Sequence, residues 1–245
     1  TPEMIRGAIR HGAVAGKVYP RGVTTNSDQG LGDFFSDSIS QTFREMEERG
    51  MLLLLHGEVD RPDLLVTKRE EAFLGILERL AMRFPMLRIV LEHISTEKAV
   101  KAVRSLDSNV AATITAHHLY LTLNDVLGDG IRPHNMCMPV AKDFKDRATL
   151  IKAATSGSPK FFLGSDTAPH ARENKECAKG ACGVFTAPVL PQVLAELFDR
   201  ENALDTFERF TSIFGAQFYN LRMTSEQIIL KNKPWVVPAD YRGIV

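Results

Sequence analysis

One tryptophan and three cysteines are all that 245 residues contain of the two scarcest building blocks. Cys137, Cys177 and Cys182 are odd in number and have no zinc-finger spacing. A disulfide framework is therefore excluded, and reduced thiols in a cytoplasmic protein are the simplest expectation. Excess charge of either sign is also missing, since 30 Lys plus Arg balance 30 Asp plus Glu. No global field draws nucleic acid or an acidic membrane to the chain. No apolar run approaches the roughly 20 residues of a membrane span. The opening Thr1-Pro2-Glu3 is not the charged start of a signal peptide. Internal repeats and low-complexity segments are absent as well.

What is present is a set of short apolar runs, each closing on a residue that carries chemistry. Phe161 to Leu163 reads as a buried parallel strand, broken by Gly164, with Asp166 just past its end. Met51 to Leu55 closes on His56, and Arg88 to Glu92 closes on His93. Ala13 to Pro20 carries Lys17 near its end. One such residue alone reads as a cap or a satisfied histidine. Two His, one Asp and one Lys at four strand ends are more specific, because the ends of parallel barrel strands converge in space. Imidazole with carboxylate suits zinc.

Between these runs lie amphipathic segments. Asp37 to Arg49 and Lys68 to Arg83 have helical periodicity, and Gly50 and Pro85 stop them. Ser95 or Thr96 caps a further helix through Arg104, and Val110 to Thr115 is another strand. Phe144 to Ser156 precedes the last strand. Pro188 to Phe198, Ala203 to Phe210 and Ser212 to Tyr219 read as closing helices. Thr115 to Val140 reads as a long polar connection, Glu173 to Gly183 as irregular, and Gln227 to Tyr241 as a small appended strand and turn. The alternation is that of α/β proteins with a parallel sheet, and it supplies about five of the eight strands of a closed (β/α)8 TIM barrel. Residues 1–245 are expected to form one barrel domain, incomplete at its N-terminal side.

Specific segments carry a resemblance. They are Gly16-Lys17-Val18-Tyr19-Pro20, Thr24-Thr25-Asn26-Ser27, Leu55-His56-Gly57-Glu58-Val59, Leu91-Glu92-His93-Ile94, Ala111-Ala112-Thr113-Ile114-Thr115, Arg132-Pro133-His134, and Gly164-Ser165-Asp166-Thr167-Ala168-Pro169-His170-Ala171-Arg172. In these the chain resembles the dihydroorotases of the amidohydrolase superfamily, most closely the shorter monofunctional type. The resemblance implies reversible hydrolysis of dihydroorotate to N-carbamoyl-L-aspartate in pyrimidine biosynthesis. It implies two zinc ions bridged by Lys17, carbamylated to N6-carboxylysine. Lys17, His56, His93 and Asp166 would be metal ligands, and Asp166 also the general acid and base. Thr24 and Thr25 on a mobile loop, the backbone at Met138, and His170, Cys182 and Gly183 would bind substrate. Partners are then small molecules, with room for a homodimer, and with neither nucleic acid nor membrane.

One departure stands beside the match. Such enzymes open with a strand bearing His-x-His, followed by a substrate-binding Arg, and this sequence has no His-x-His. The adjacent His117-His118 does not replace it. The chain therefore reads as the later part of such an enzyme, impaired when alone. Two other readings remain: an amidohydrolase for a hydantoin or another cyclic amide, and a non-catalytic relative that binds a partner subunit. Arg132-Pro133-His134 and the Asp166 to His170 segment favour a dihydroorotase over both, and the missing His-x-His supports the non-catalytic relative.

Overall fold

The computed structural model describes residues 1–23, 27–238 and 241–245. Helix α1 (Pro2–Arg10) leads into β1 (Ala15–Val18), then α2 (Asp37–Glu48), β2 (Leu52–His56), α3 (Arg69–Arg83) and β3 (Ile89–Glu92). Next come α4 (Glu97–Ser105), β4 (Val110–Ile114), α5 (Ala116–Tyr120), α6 (Leu123–Leu127), α7 (Phe144–Ala154) and β5 (Phe161–Leu163). Helices α8 (Arg172–Lys175), α9 (Leu190–Arg200), α10 (Leu204–Glu208) and α11 (Phe214–Tyr219) follow. The five strands form one parallel sheet in the order β1-β2-β3-β4-β5. That is an arc of a barrel. Among the described residues β1 and β5 are its edges, each paired on one side only.

Alternation along the strands sorts the side chains onto two faces. Leu53, Leu55, Ile89, Leu91, Ala112 and Phe161 point into the main core, beneath the helices. The opposite face carries Leu52, Val90, Ala111 and Phe162, covered at one end by Phe214, Phe218 and Tyr219 of α11. By the same alternation Lys17, His56, Glu92 and Thr113 stand on this second face, at its C-terminal rim. Barrel enzymes keep their chemistry at that rim.

The helices are fixed by local chemistry. Asp143 caps α7 by accepting the Asp146 N–H at 2.8 Å. Thr96, rather than Ser95, caps α4 and accepts the Ala99 N–H at 3.1 Å. Its hydroxyl also donates to Glu70 of α3, whose other oxygen accepts the Ser95 N–H at 2.7 Å. Glu70 is 1 % exposed, so its loss would leave buried donors without acceptors. Glu70→Ala is expected to cost roughly 3 kcal/mol in chemical denaturation. A loss below about 1 kcal/mol would mean that water replaces the carboxylate.

Three segments differ most from expectation, and the short helix α8 (Arg172–Lys175) also opens the stretch 173–183 that reads as irregular. Residues 115–140 are not a loop: α5, α6 and a single 3-10 turn at Pro133–Asn135 occupy them, and His117 and His118 are buried. Helices this short leave too little periodicity to read. Residues 204–219 form α10, a π-helical turn at Arg209–Ile213 and α11 as consecutive segments rather than two separate helices. The stretch 227–238 holds no strand, and Ile228 and Ile229 are exposed at 83% and 82%. Hydrophobic β-formers make a strand only where an edge receives them. The turn survives as bridges from Ile244 to Ala171 and Tyr241. No described helix is long and apolar enough to cross a membrane.

Candidate active site

The register sets the site. His56 lies beside Glu92 in the β2–β3 pairing, and Lys17 lies one pleat back, beside Leu54. On the shared face the Lys17 ammonium reaches the Glu92 carboxylate and forms an ion pair. The ammonium also lies 4.9 Å from the centre of the Tyr19 ring. Burial lowers the Lys17 pKa to about 8, against the raising influence of the Asp166 charge. The neutral amine is therefore far more accessible than in a surface lysine.

His56 and His93 meet with ring centres 4.7 Å apart, one edge toward the other's face. His56 Nε2 is 2.8 Å from Glu58 Oε2, with both side chains buried. A carboxylate only accepts, so this contact places a proton on Nε2 and leaves the lone pair on Nδ1. His93 follows β3 with φ 46°, a left-handed backbone that turns the ring back over the rim. The Thr113 hydroxyl steadies this turn by accepting the His93 N–H at 2.7 Å. His93 Nδ1 is buried without a partner. Burial first, then His56 and Lys17, hold its pKa well below the usual value, so the ring stays neutral.

Asp166 sits three residues past β5, also left-handed at φ 40°. Two left-handed non-glycine residues past the ends of β3 and β5, on the same rim, are the kind of strain that collects at functional sites. Burial raises the Asp166 carboxyl, and the Lys17 and His56 charges oppose the shift. All four strand-end residues singled out in the sequence thus come together on one rim.

Around Asp166 a second layer forms. His170 Nε2 donates to the Cys182 carbonyl at 3.1 Å, and the Gly183 N–H donates to the Met136 carbonyl at 2.8 Å, two residues before Met138. Gly183 has φ 149°, and a Cβ there would lie 2.4 Å from Ala168 Cβ, so only glycine lets these turns touch. Lys175 is wholly buried, and its ammonium donates to the carbonyls of Gly183 and Met136. Segments 136–138, 166–170 and 182–183 are therefore tied together. Thr24 and Thr25 lie outside the described residues. Glu58, Glu92, His117 and Lys175 stand out in the structure without being marked by the sequence. The first two lie inside quoted motifs, but nothing in a sequence says which side chain a carboxylate will face. Cys137, Cys177 and Cys182 are all free.

The fold is shared with a dihydropyrimidinase from Brevibacillus agri, which superimposes with a TM-score of 0.75 over 89% of this chain and 53% of its own, at 17% identity. That likeness concerns the fold alone. A dihydroorotase from Teredinibacter turnerae is 48% identical over 239 residues, 97% of this chain and 69% of the relative. One from Shewanella amazonensis is 47% identical over 243 residues, 98% of this chain and 70% of the relative. The crystal structure of dihydroorotase from Campylobacter jejuni has a TM-score of 0.87 at 38% identity, covering 99% of this chain and 70% of its own. That of the Saccharomyces cerevisiae enzyme in complex with 5-fluoroorotic acid has a TM-score of 0.84 at 40% identity, covering 91% and 65%. No family profile matches the chain. The chain belongs to the dihydroorotase family, and it spans about 70% of the length of the curated relatives it matches.

Proposed function

We propose that this chain carries the cyclic-amide chemistry of dihydroorotase, the reversible hydrolysis of dihydroorotate to N-carbamoyl-L-aspartate. The observation that carries the proposal is the meeting of Lys17, His56, His93 and Asp166 on one rim. Residues 1–245 serve this chemistry as one barrel unit.

The residues fit metal ions. His93 Nδ1 is a buried polar atom without a partner, and the Glu58 contact leaves His56 Nδ1 free to donate its lone pair. Neutral imidazole and carboxylate are the donors zinc takes. Lys17, His56, His93 and Asp166 would hold it, with Lys17 carbamylated: the neutral amine adds to carbon dioxide, and one proton leaves. The neutral side chain thereby becomes an anion; counted from the ammonium form, two protons leave, and the product would offer carboxylate oxygens to a metal. When bound, zinc lowers the pKa of water to about 7 and polarises a carbonyl.

The chain's own residues supply the rest. Asp166 takes the proton of the attacking water and returns it to the ring nitrogen as the amide C–N bond breaks. The His170 imidazole and the backbone at Cys182 and Gly183 would hold the substrate carboxylate, with His170 Nε2 and the Gly183 N–H exchanging their carbonyl partners at Cys182 and Met136 for it. Met138 backs the ring.

The test is turnover of N-carbamoyl-L-aspartate by the purified chain, with zinc and bicarbonate each supplied or withheld. Turnover is expected to be low, because the sequence has no His-x-His, and to need both additions. Turnover indifferent to bicarbonate would remove the carbamate from the scheme. Metal uptake without any turnover would favour the reading as a non-catalytic relative.

A further inference from the structure

We propose that His117, His118 and Cys137 form a second zinc site, separate from the rim that holds Lys17, His56, His93 and Asp166. The three side chains are buried, at 3%, 2% and 1% exposure. A ring nitrogen of each histidine and the Cys137 sulfur lie within 4.8 Å of one another. Two observations make this more than a cluster. His117 is buried with both ring nitrogens lacking any partner, although a buried imidazole normally finds one. The other donors already face a common point. His118 Nε2 is 2.8 Å from the Pro139 carbonyl, Cys137 Sγ is 3.3 Å from the same oxygen, and Sγ is 3.8 Å from Nε2. Zinc–sulfur and zinc–nitrogen bonds of about 2.3 and 2.0 Å give tetrahedral edges of about 3.3–3.6 Å. The Sγ–Nε2 separation is already within a few tenths of an ångström of such an edge, and a His117 ring nitrogen lies within 4.8 Å of both.

The chemistry suits a soft or borderline ion. Thiolate with two imidazoles selects zinc-class metals over magnesium or calcium. In the metal-free site His118 Nε2–H and the Cys137 thiol both donate to Pro139. Burial pushes the thiol up to about 12, so it is protonated. On binding, the Cys137 proton leaves to solvent. The His118 proton moves from Nε2 to Nδ1, and the Thr115 hydroxyl, 2.8 Å from Nδ1, turns from donor to acceptor. One proton is released per ion. The ion would pin the first turn of α5 to segment 137–139, the neighbour of the Met136 carbonyl that receives Gly183. Binding only the folded state, it would also raise thermal stability.

The probe is cobalt(II), which reports a thiolate ligand by a charge-transfer band, followed by competition with zinc. The band is expected in the full chain and in Lys17→Met/His93→Asn, which strips the rim of two ligands. It is expected to persist in Cys177→Ser and Cys182→Ser and to vanish in Cys137→Ser. His117→Asn, which keeps the thiol, is expected to weaken zinc binding by about a hundredfold or more, since losing a direct ligand should cost at least as much as losing an outer-shell partner. Circular dichroism would check that each variant is folded. Should Cys137→Ser not fold, protection of Cys137 from a thiol reagent by zinc in the unaltered chain gives the same answer. No band in the full chain, a band that survives Cys137→Ser, or a band lost with the rim ligands would overturn the proposal. Two of these outcomes would leave His117 facing a buried water.

Discussion

Asp166→Asn is expected to lower turnover by about 10²–10⁴-fold while zinc bound at Lys17, His56 and His93 stays in place. The substitution is a clean probe for a backbone reason. Asp166 is left-handed, and asparagine tolerates that conformation nearly as well as aspartate. The turn after β5 should therefore keep its shape, and only the capacity to take and return a proton is removed. Burial raises this carboxyl, which moves it toward the range in which a general base also serves as an acid. Turnover and zinc content would be measured on the same samples. A rate that falls in proportion to zinc would mean that Asp166 acts as a ligand and not through its proton. An unchanged rate would remove it from the reaction altogether. The same measurement on Lys17→Met separates the two roles, because zinc uptake should then lose its dependence on bicarbonate.

Much of this site is legible in the sequence. The strands β2, β3 and β5 are apolar on both faces, as parallel strands under helices must be, so each run ends visibly at its first polar residue. For β2 that residue is His56; the β5 run breaks at Gly164, and Asp166 follows after Ser165. Legibility fades where the chemistry depends on what faces what. Lys17 lies inside β1, and its partner Glu92 stands 75 residues away, a pairing set by register alone. Glu58 follows His56 by two residues, yet only the bend after β2 turns its carboxylate back to Nε2. Residues 115–140 look polar because histidine, asparagine and glycine stand out in them. Their His117 and His118 are buried all the same, and Thr115 and the Pro139 carbonyl satisfy His118. Ile228 and Ile229 mislead in the opposite direction, as exposed apolar residues that join neither open edge of the sheet.

Gly164→Ala is expected to destabilise the chain by about 1–3 kcal/mol and to weaken zinc retention at the rim. Gly164 follows β5 directly, and its backbone rests against β4. A Cβ there would lie 2.6 Å from Thr113 Cβ and 2.8 Å from its hydroxyl oxygen. Thr113 Cβ is fixed to a fully buried strand and cannot swing aside as the end of a long side chain would. The strands must part, or Thr113 must turn. Turning costs more than packing, because the Thr113 hydroxyl is the acceptor of the His93 N–H in its left-handed turn. A displaced hydroxyl leaves that buried donor unpaired and lets the His93 ring drift from His56. The effect on stability would be read from denaturant unfolding, and the effect on the site from zinc released to a chelator. Thr113→Ser offers the matching control: it keeps the hydroxyl and removes a methyl group, so Gly164→Ala in that background should recover part of the loss. A double variant no better than Gly164→Ala alone would mean that the damage lies in the β4–β5 backbone and does not pass through Thr113 to His93.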